Sequence, residues 1–240
     1  MEIDGKRVLV SGAGRGLGRA LVTVLAETGV REIVAGTRKP EAREELQALS
    51  PVVTPVQLDV TNDDDVEAVA RMGTMDILIN NAGFAGFGNP LTMSFDDVQR
   101  EVAVNYCGVL RLTRAIAPGM IEQGDGMIVN VATAFAKVNL PLIGTYCATK
   151  SALLSLGQAL RAYLSDYNVR VITVMPTTID TDMSSGADVP KMTKEFVAAE
   201  ILNAIRVEAH DPPIGEEAKS IVDEFSKDPI GLEKMLMKYK

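Results

Sequence analysis

The sequence is poor in the residues that build metal centres and disulfide frameworks. It has one histidine, His210, and two cysteines, Cys107 and Cys147. Two cysteines make no disulfide scaffold, and a reduced, cytoplasmic setting fits them best. Without a cluster of Cys and His a zinc site is not expected, which leaves only carboxylate ligation open. Basic charge is also short: 24 Lys and Arg stand against 32 Asp and Glu, a formal net charge of −8, with no basic cluster. That balance argues against binding to a nucleic-acid backbone or to an anionic membrane surface. No apolar run is long enough to cross a bilayer. The opening MEIDGKRVLVSG lacks the basic-then-apolar pattern of a signal peptide. Internal repeats, low-complexity tracts and interdomain linkers are missing too. What is present is a chain of 240 residues, 47% of them hydrophobic, enough to fill one core better than two small ones.

Short apolar runs alternate with helical patterns. RVLVS (7–11), EIVAG (32–36), VTPVQLD (53–59), DILINNAG (76–83), GMIVNVA (126–132) and VRVITVMP (169–176) read as strands, the fourth running into a loop. Helical stretches follow at about 17–28, 41–49, 62–72, 94–121 and 143–167, the third with an acidic first turn that suits the helix dipole. Strands of this kind, each followed by a helix, predict a parallel sheet covered on both faces. Right-handed crossovers then give an α/β, doubly wound Rossmann fold in a single domain over 1–240. From about His210 the tail turns charged and helical, with turns at Pro212-Pro213 and Asp228-Pro229. Ile221, Phe225, Ile230, Leu232 and Leu236 let it pack on the domain as two short helices.

Two stretches carry chemistry. The first strand runs straight into SGAGRGLGRAL, where Gly12, Gly16 and Gly18 leave room for a tight turn and for a phosphate to approach backbone N–H groups at a helix start. Further on, Tyr146 and Lys150 in YCATK lie one turn apart on one face of a helix. Taken alone, such a pair is ordinary packing beside a solvated lysine.

The glycine spacing, three residues and then one, departs from the usual dinucleotide fingerprint. Gly-x-x-x-Gly-x-Gly is instead the pattern of the short-chain dehydrogenase/reductase family, which the sequence resembles from about 5 to 205. The matching stretches are SGAGRGLG (11–18), LDV (58–60), NNAG (80–83), VN (104–105), YCATK (146–150) and MPTTIDTDM (175–183), in the family's order. The resemblance implies that Tyr146 protonates a carbonyl oxygen or deprotonates an alcohol. Lys150 and the oxidised nicotinamide would lower the phenol's pKa from its free value near ~10. Thr133 falls in the register of the family's substrate-holding serine, thirteen positions before the tyrosine, and adds a methyl group. Asn105 matches the asparagine that positions the lysine through water. An ordinary strand-end threonine and an asparagine at a helix irregularity are the plain alternatives.

For the cofactor, the resemblance implies contacts from Gly12, Arg15, Gly16, Leu17 and Gly18, with Asp59 and Val60 at the adenine. Asn81, Ala82 and Gly83 would line the adenosine ribose, Asn81 being alternatively a loop brace. Thr181 and Pro176 would hold the nicotinamide, with Tyr146 and Lys150 alongside. An acid at the end of the second strand would bind the ribose of NAD. Here Gly36 and Thr37 stand there, Arg38 follows and Arg15 lies in the glycine loop, an arrangement suited to a phosphate dianion and hence to NADP(H). Phe84, Phe87, Ala134, Phe135, Leu140, Thr177, Thr178 and Met183 are candidates for a mostly apolar substrate wall, some of them equally candidates for core. Thr177 also replaces the glycine of the family's usual Pro-Gly. The segment between Asp182 and Lys194 is short for a lid, so the cleft is expected to be fairly open.

These readings point to an NADPH-dependent reductase of a neutral ketone or aldehyde, reversible as an alcohol dehydrogenase. A non-catalytic NADP(H)-binding redox sensor and an NAD-preferring alcohol dehydrogenase are the alternatives. In the family the two long helices commonly pair subunits, which implies a homodimer or homotetramer with a small-molecule carbonyl or alcohol as the other partner.

Overall fold

Five of the strands are buried at all but one residue or throughout, which only a sheet covered on both faces allows. The computed structural model describes residues 1–239. Its strands are β1 (Arg7–Val10), β2 (Glu32–Thr37), β3 (Val53–Gln57), β4 (Ile77–Asn80), β5 (Gly126–Val131), β6 (Val169–Pro176) and β7 (Pro213–Ile214). All pair in parallel, in the order β3-β2-β1-β4-β5-β6-β7. The chain reverses its direction of winding between β1 and β4, and in open α/β sheets the crevice at that point, past the carboxyl ends of the strands, binds ligands. Pro55 is tolerated in β3 because that strand is an edge.

Helices α1 (Gly16–Ala26), α2 (Pro40–Gln47) and α3 (Asp63–Ala70) follow the first three strands. Asn62 caps α3 by accepting from the Asp65 N–H at 2.9 Å, just before its acidic first turn. Then come α4 (Phe95–Val102), α5 (Val109–Gln123), α6 (Gly144–Leu164) and α7 (Lys194–Val207). α1 and α7 cover one face through Leu21, Leu25, Val197, Ile201 and Ile205. α3 and α5 cover the other through Val66, Val69, Leu112, Ile116 and Met120.

Two expectations need correction. The helix foretold over 94–121 is not continuous: α4 and α5 are joined by a π-helical segment, Ala103–Gly108, with Asn105 inside it. A π turn admits one extra residue, and turns of this kind are frequent at functional sites. Gly108 gives the widened backbone room, since a Cβ there would lie 2.6 Å from Val60. The Pro212-Pro213 turn instead opens β7, which pairs with Met175 and Pro176 and extends the sheet at its far edge. The tail does form two helices, α8 (Glu216–Lys227) and α9 (Pro229–Leu236). Ala218, Ile221, Leu232 and Leu236 pack with Phe135, Val138 and Cys147, with Tyr146 at the margin of the cluster. The tail thus backs the helix start where the chemistry-bearing residues lie.

Candidate active site

The glycine loop shows why its residues must be small. Gly12 has φ +67°, and a Cβ there would come within 2.8 Å of the Ala82 Cα. Gly16 has φ +53°, beside the Thr181 methyl, and a side chain on Gly18 would overlap the Gly12 carbonyl. Gly14, missed in the sequence reading, sits 2.5 Å by the same measure from the Thr37 hydroxyl. The first turn of α1 has no acidic residue and no side-chain cap, unlike α3. Uncapped N–H groups at a cramped, side-chain-free turn fit a dinucleotide's phosphates. Leu17 is buried below them.

Around this turn the other predicted contacts take their places. Asn81 braces the loop: its Nδ2 donates to the carbonyls of Ser11 at 2.9 Å and Gly12 at 3.2 Å. Ser11, also unforeseen, accepts from the N–H groups of Asn81 and Ala82, both at 3.1 Å. Thr37 is buried at the end of β2. The two arginines each have a carboxylate partner, Arg38 pairing with Asp59 at 3.6 Å and Arg15 with Asp182 at 3.1 Å. All four side chains are substantially exposed except Asp59, so the pairs are weak and easily exchanged. Burial pushes the Asp59 carboxyl up, but hydrogen bonds from Thr61 and the Arg38 charge outweigh it and hold the group below its ordinary value. Val60 is buried against the π segment.

Tyr146 lies in the first turn of α6, half-buried, with the Lys150 Nζ 5.6 Å from its ring centroid. Lys150 is only 4% exposed and donates to the Val131 carbonyl at 2.8 Å. Asn105 is fully buried. Its Nδ2 donates to the Phe84 carbonyl at 2.8 Å and the Thr149 hydroxyl at 3.0 Å, and its Oδ1 accepts from the Phe84 N–H at 2.9 Å. A Cβ on Gly83 would sit 3.6 Å from that oxygen and 3.8 Å from the Lys150 Nζ, so Gly83 keeps the space between amide and ammonium open. Thr149 in turn donates to the Tyr146 carbonyl at 2.7 Å. The structure therefore brings Asn105, Gly83, Tyr146 and Lys150 together.

Thr133 follows β5, and its hydroxyl is engaged with the backbone. Its hydroxyl donates to the Pro176 carbonyl at 3.0 Å and accepts from the Phe135 N–H at 3.3 Å, capping the short helical turn 134–136. One hydroxyl carries one proton, so this one already has a partner. The phenol–lysine electrostatics differ from the expectation. Burial pushes the Tyr146 phenol above its ordinary value, with Cys147 and Glu101 adding to the effect. Burial pushes the Lys150 ammonium down to about 8 and the Cys147 thiol up to about 11. Desolvation is the largest influence on all three groups.

Among the wall candidates, Ala134 and Phe135 are core beneath the tail, with Leu140 at the edge of that cluster. Phe84 packs on the main core with the Arg100 guanidinium 4.2 Å above its ring. Phe87 and Met183 are exposed, Thr178 half-buried, and Thr177 buried with its hydroxyl unpartnered. The segment after β6 is pinned at its base by the Ile179–Met192 bridge.

A short chain dehydrogenase family profile matches residues 6–190. The chain belongs to this family. The oxidoreductase is 38% identical over 185 residues to D-erythrulose reductase from Gallus gallus, covering 76% of this chain and 75% of that one. It is 32% identical over 189 residues to L-xylulose reductase from Bos taurus, covering 78% and 77%. Among solved structures, a short chain dehydrogenase from Burkholderia cenocepacia in complex with NADP superposes with a TM-score of 0.93 at 35% identity over 99% of both chains. No described helix is long and apolar enough to cross a membrane.

Lys150 makes a testable contribution to stability. Its native pKa, about 8, lies below the unfolded value near 10.5, so the unfolded chain binds more protons between those limits and stability rises with pH there. Between pH 8 and 9 the wild type should gain about 1 kcal/mol relative to Lys150→Met. Urea unfolding of both proteins across that range measures it; parallel curves would show that burial does not depress the lysine.

Proposed function

We propose that this dehydrogenase reduces a neutral ketone or aldehyde with NADPH, reversibly, with Tyr146 as the acid. The observation that carries the reading is the buried Lys150, its ammonium 5.6 Å from the ring centroid of Tyr146, with buried Asn105 across the Gly83 gap. A neutral phenol near a carbonyl oxygen is ready to donate a proton, and general acid catalysis of this kind supplies roughly 10²–10⁴-fold.

The chain's residues divide the remaining work. Gly12, Gly16, Leu17 and Gly18 would hold the pyrophosphate, Asp59 and Val60 the adenine, and Asn81, Ala82 and Gly83 the neighbouring ribose. Lys150 would hold the other ribose, with Pro176 and Thr181 at the nicotinamide. When bound, the nicotinamide supplies or accepts the hydride. Lys150 keeps positive charge beside Tyr146, and Asn105 fixes the backbone on either side. Thr133 can reach a substrate oxygen only by giving up the Pro176 carbonyl. Arg15 and Arg38 would exchange their exposed carboxylate partners for a 2′-phosphate, the source of the NADP(H) preference. The complex of the Burkholderia relative with NADP supports that choice. Thr177, Thr178, Met183, Phe84 and Leu140 would line the substrate side, an uncharged set. The names of the two reductase relatives make a small polyhydroxy ketone the first substrate to try. A cytoplasmic homodimer or homotetramer completes the proposal.

One observation favours a second reading, a redox sensor that binds NADP(H) without turnover: the Thr133 hydroxyl is already committed to the backbone. Tyr146→Phe decides between them. It should lower kcat by about 10²–10⁴-fold and leave NADPH affinity unchanged; a variant with most of its activity left excludes Tyr146 as the acid. Arg38→Ala should weaken NADPH binding about tenfold or more and leave NADH binding alone, as fluorescence titration would report. Equal loss for both cofactors would contradict phosphate recognition by that arginine.

A further inference from the structure

Glu101 ends the last turn of α4 without any solvent exposure. Its Oε1 accepts the Gly86 N–H at 2.8 Å, and its Oε2 is buried with no hydrogen-bond partner. A half-satisfied buried carboxyl is costly, and a methionine of similar length would fill the same space without that cost. The residue it grips lies in the loop that leaves Gly83. That loop is otherwise tied only at its ends, by Asn105 on Phe84 and by the Gly88 N–H donating to the Leu142 carbonyl at 3.0 Å. The loop carries Phe84, half-buried with Arg100 above its ring, and Phe87, exposed. Gly86 packs closely there: a Cβ would displace the end of the Met93 side chain and reach within 3.5 Å of the Glu101 carboxyl. α4 packs on α6, the helix that carries Tyr146, and the charge of Glu101 acts on that phenol.

We propose that Glu101 is a positioning residue for the carbonyl substrate: it clamps Gly86, and with it the Phe84–Phe87 lip, beside the start of the Tyr146 helix. It does not touch the reacting atoms. Its role is to hold one side of the substrate cleft in place, and it rests on the reading of this site as a carbonyl reductase. The signal in the sequence is an acid one helical turn before Asn105, at a position where a core-facing stripe calls for an apolar residue.

The test compares wild type with Glu101→Gln, which keeps an oxygen to accept the Gly86 N–H, and Glu101→Met, which fills the space without an acceptor. Hydrogen exchange of the peptide spanning 84–93 should be slow in wild type and E101Q and at least tenfold faster in E101M. The KM for the carbonyl substrate should rise fivefold or more in E101M and stay within twofold in E101Q. In both variants kcat and the NADPH dissociation constant should stay within twofold of wild type, and the thermal midpoint of E101M should be unchanged or higher. Equal exchange in all three proteins, or E101Q behaving like E101M, would overturn the clamp. Absence of turnover by wild type with every carbonyl compound would refute the reductase reading instead, and the exchange arm still decides this one.

Discussion

The buried amide of Asn105 bonds three separate backbone segments into one site. It reads Phe84 from both sides, one N–H and one C=O, and reaches across to Thr149 in α6. To do so it must project from a helix that is widened by one residue, between α4 and α5. Gly108 makes that widening possible, and Gly83 leaves the adjacent space clear for Lys150. Losing the amide would strand the Phe84 N–H and C=O, each worth about 1–3 kcal/mol when left unpaired, while the Thr149 hydroxyl would keep its bond to the Tyr146 carbonyl. The loop after β4, the π turn and α6 therefore stand or fall together, and the positions of Tyr146 and Lys150 follow from them.

Burial sets the electrostatics of this assembly. It disfavours the charged form of both partners, raising the phenol and lowering the ammonium. The lysine shift, from 10.5 to about 8, corresponds to roughly 3 kcal/mol of lost solvation that its single bond to Val131 does not restore. A protein accepts such a term where the charge has work to do, and perturbed groups gathered in a crevice are a mark of function. A protonated phenol suits the proposed reductive direction, in which Tyr146 would begin as the acid.

Much of this was legible in the chain. The six main strands, their parallel pairing and the crowded glycine turn follow from apolar runs and glycine spacing, because burial on both faces and a tight turn constrain each residue locally. The Tyr/Lys register was legible through a family pattern at 146–150. The π turn was not, since a single inserted residue barely disturbs the hydrophobic period over 94–121. β7 was not, because two residues at an edge carry no pattern. The long-range partners escaped as well: Thr133 with Pro176, Arg15 with Asp182 and Glu101 with Gly86 join positions that only the fold brings together. Ala134 and Phe135 looked like a substrate wall until the tail helices covered them.

As proposed, the site transfers hydride to an uncharged carbonyl carbon while the chain supplies the proton. The most direct test follows the absorbance of reduced nicotinamide when the purified protein meets NADPH and a panel of ketoses, simple ketones, aldehydes and quinones, with NADH in parallel. The account predicts loss of absorbance that depends on the carbonyl compound and is faster with NADPH. Tight binding of NADPH with no absorbance change for any compound would contradict it.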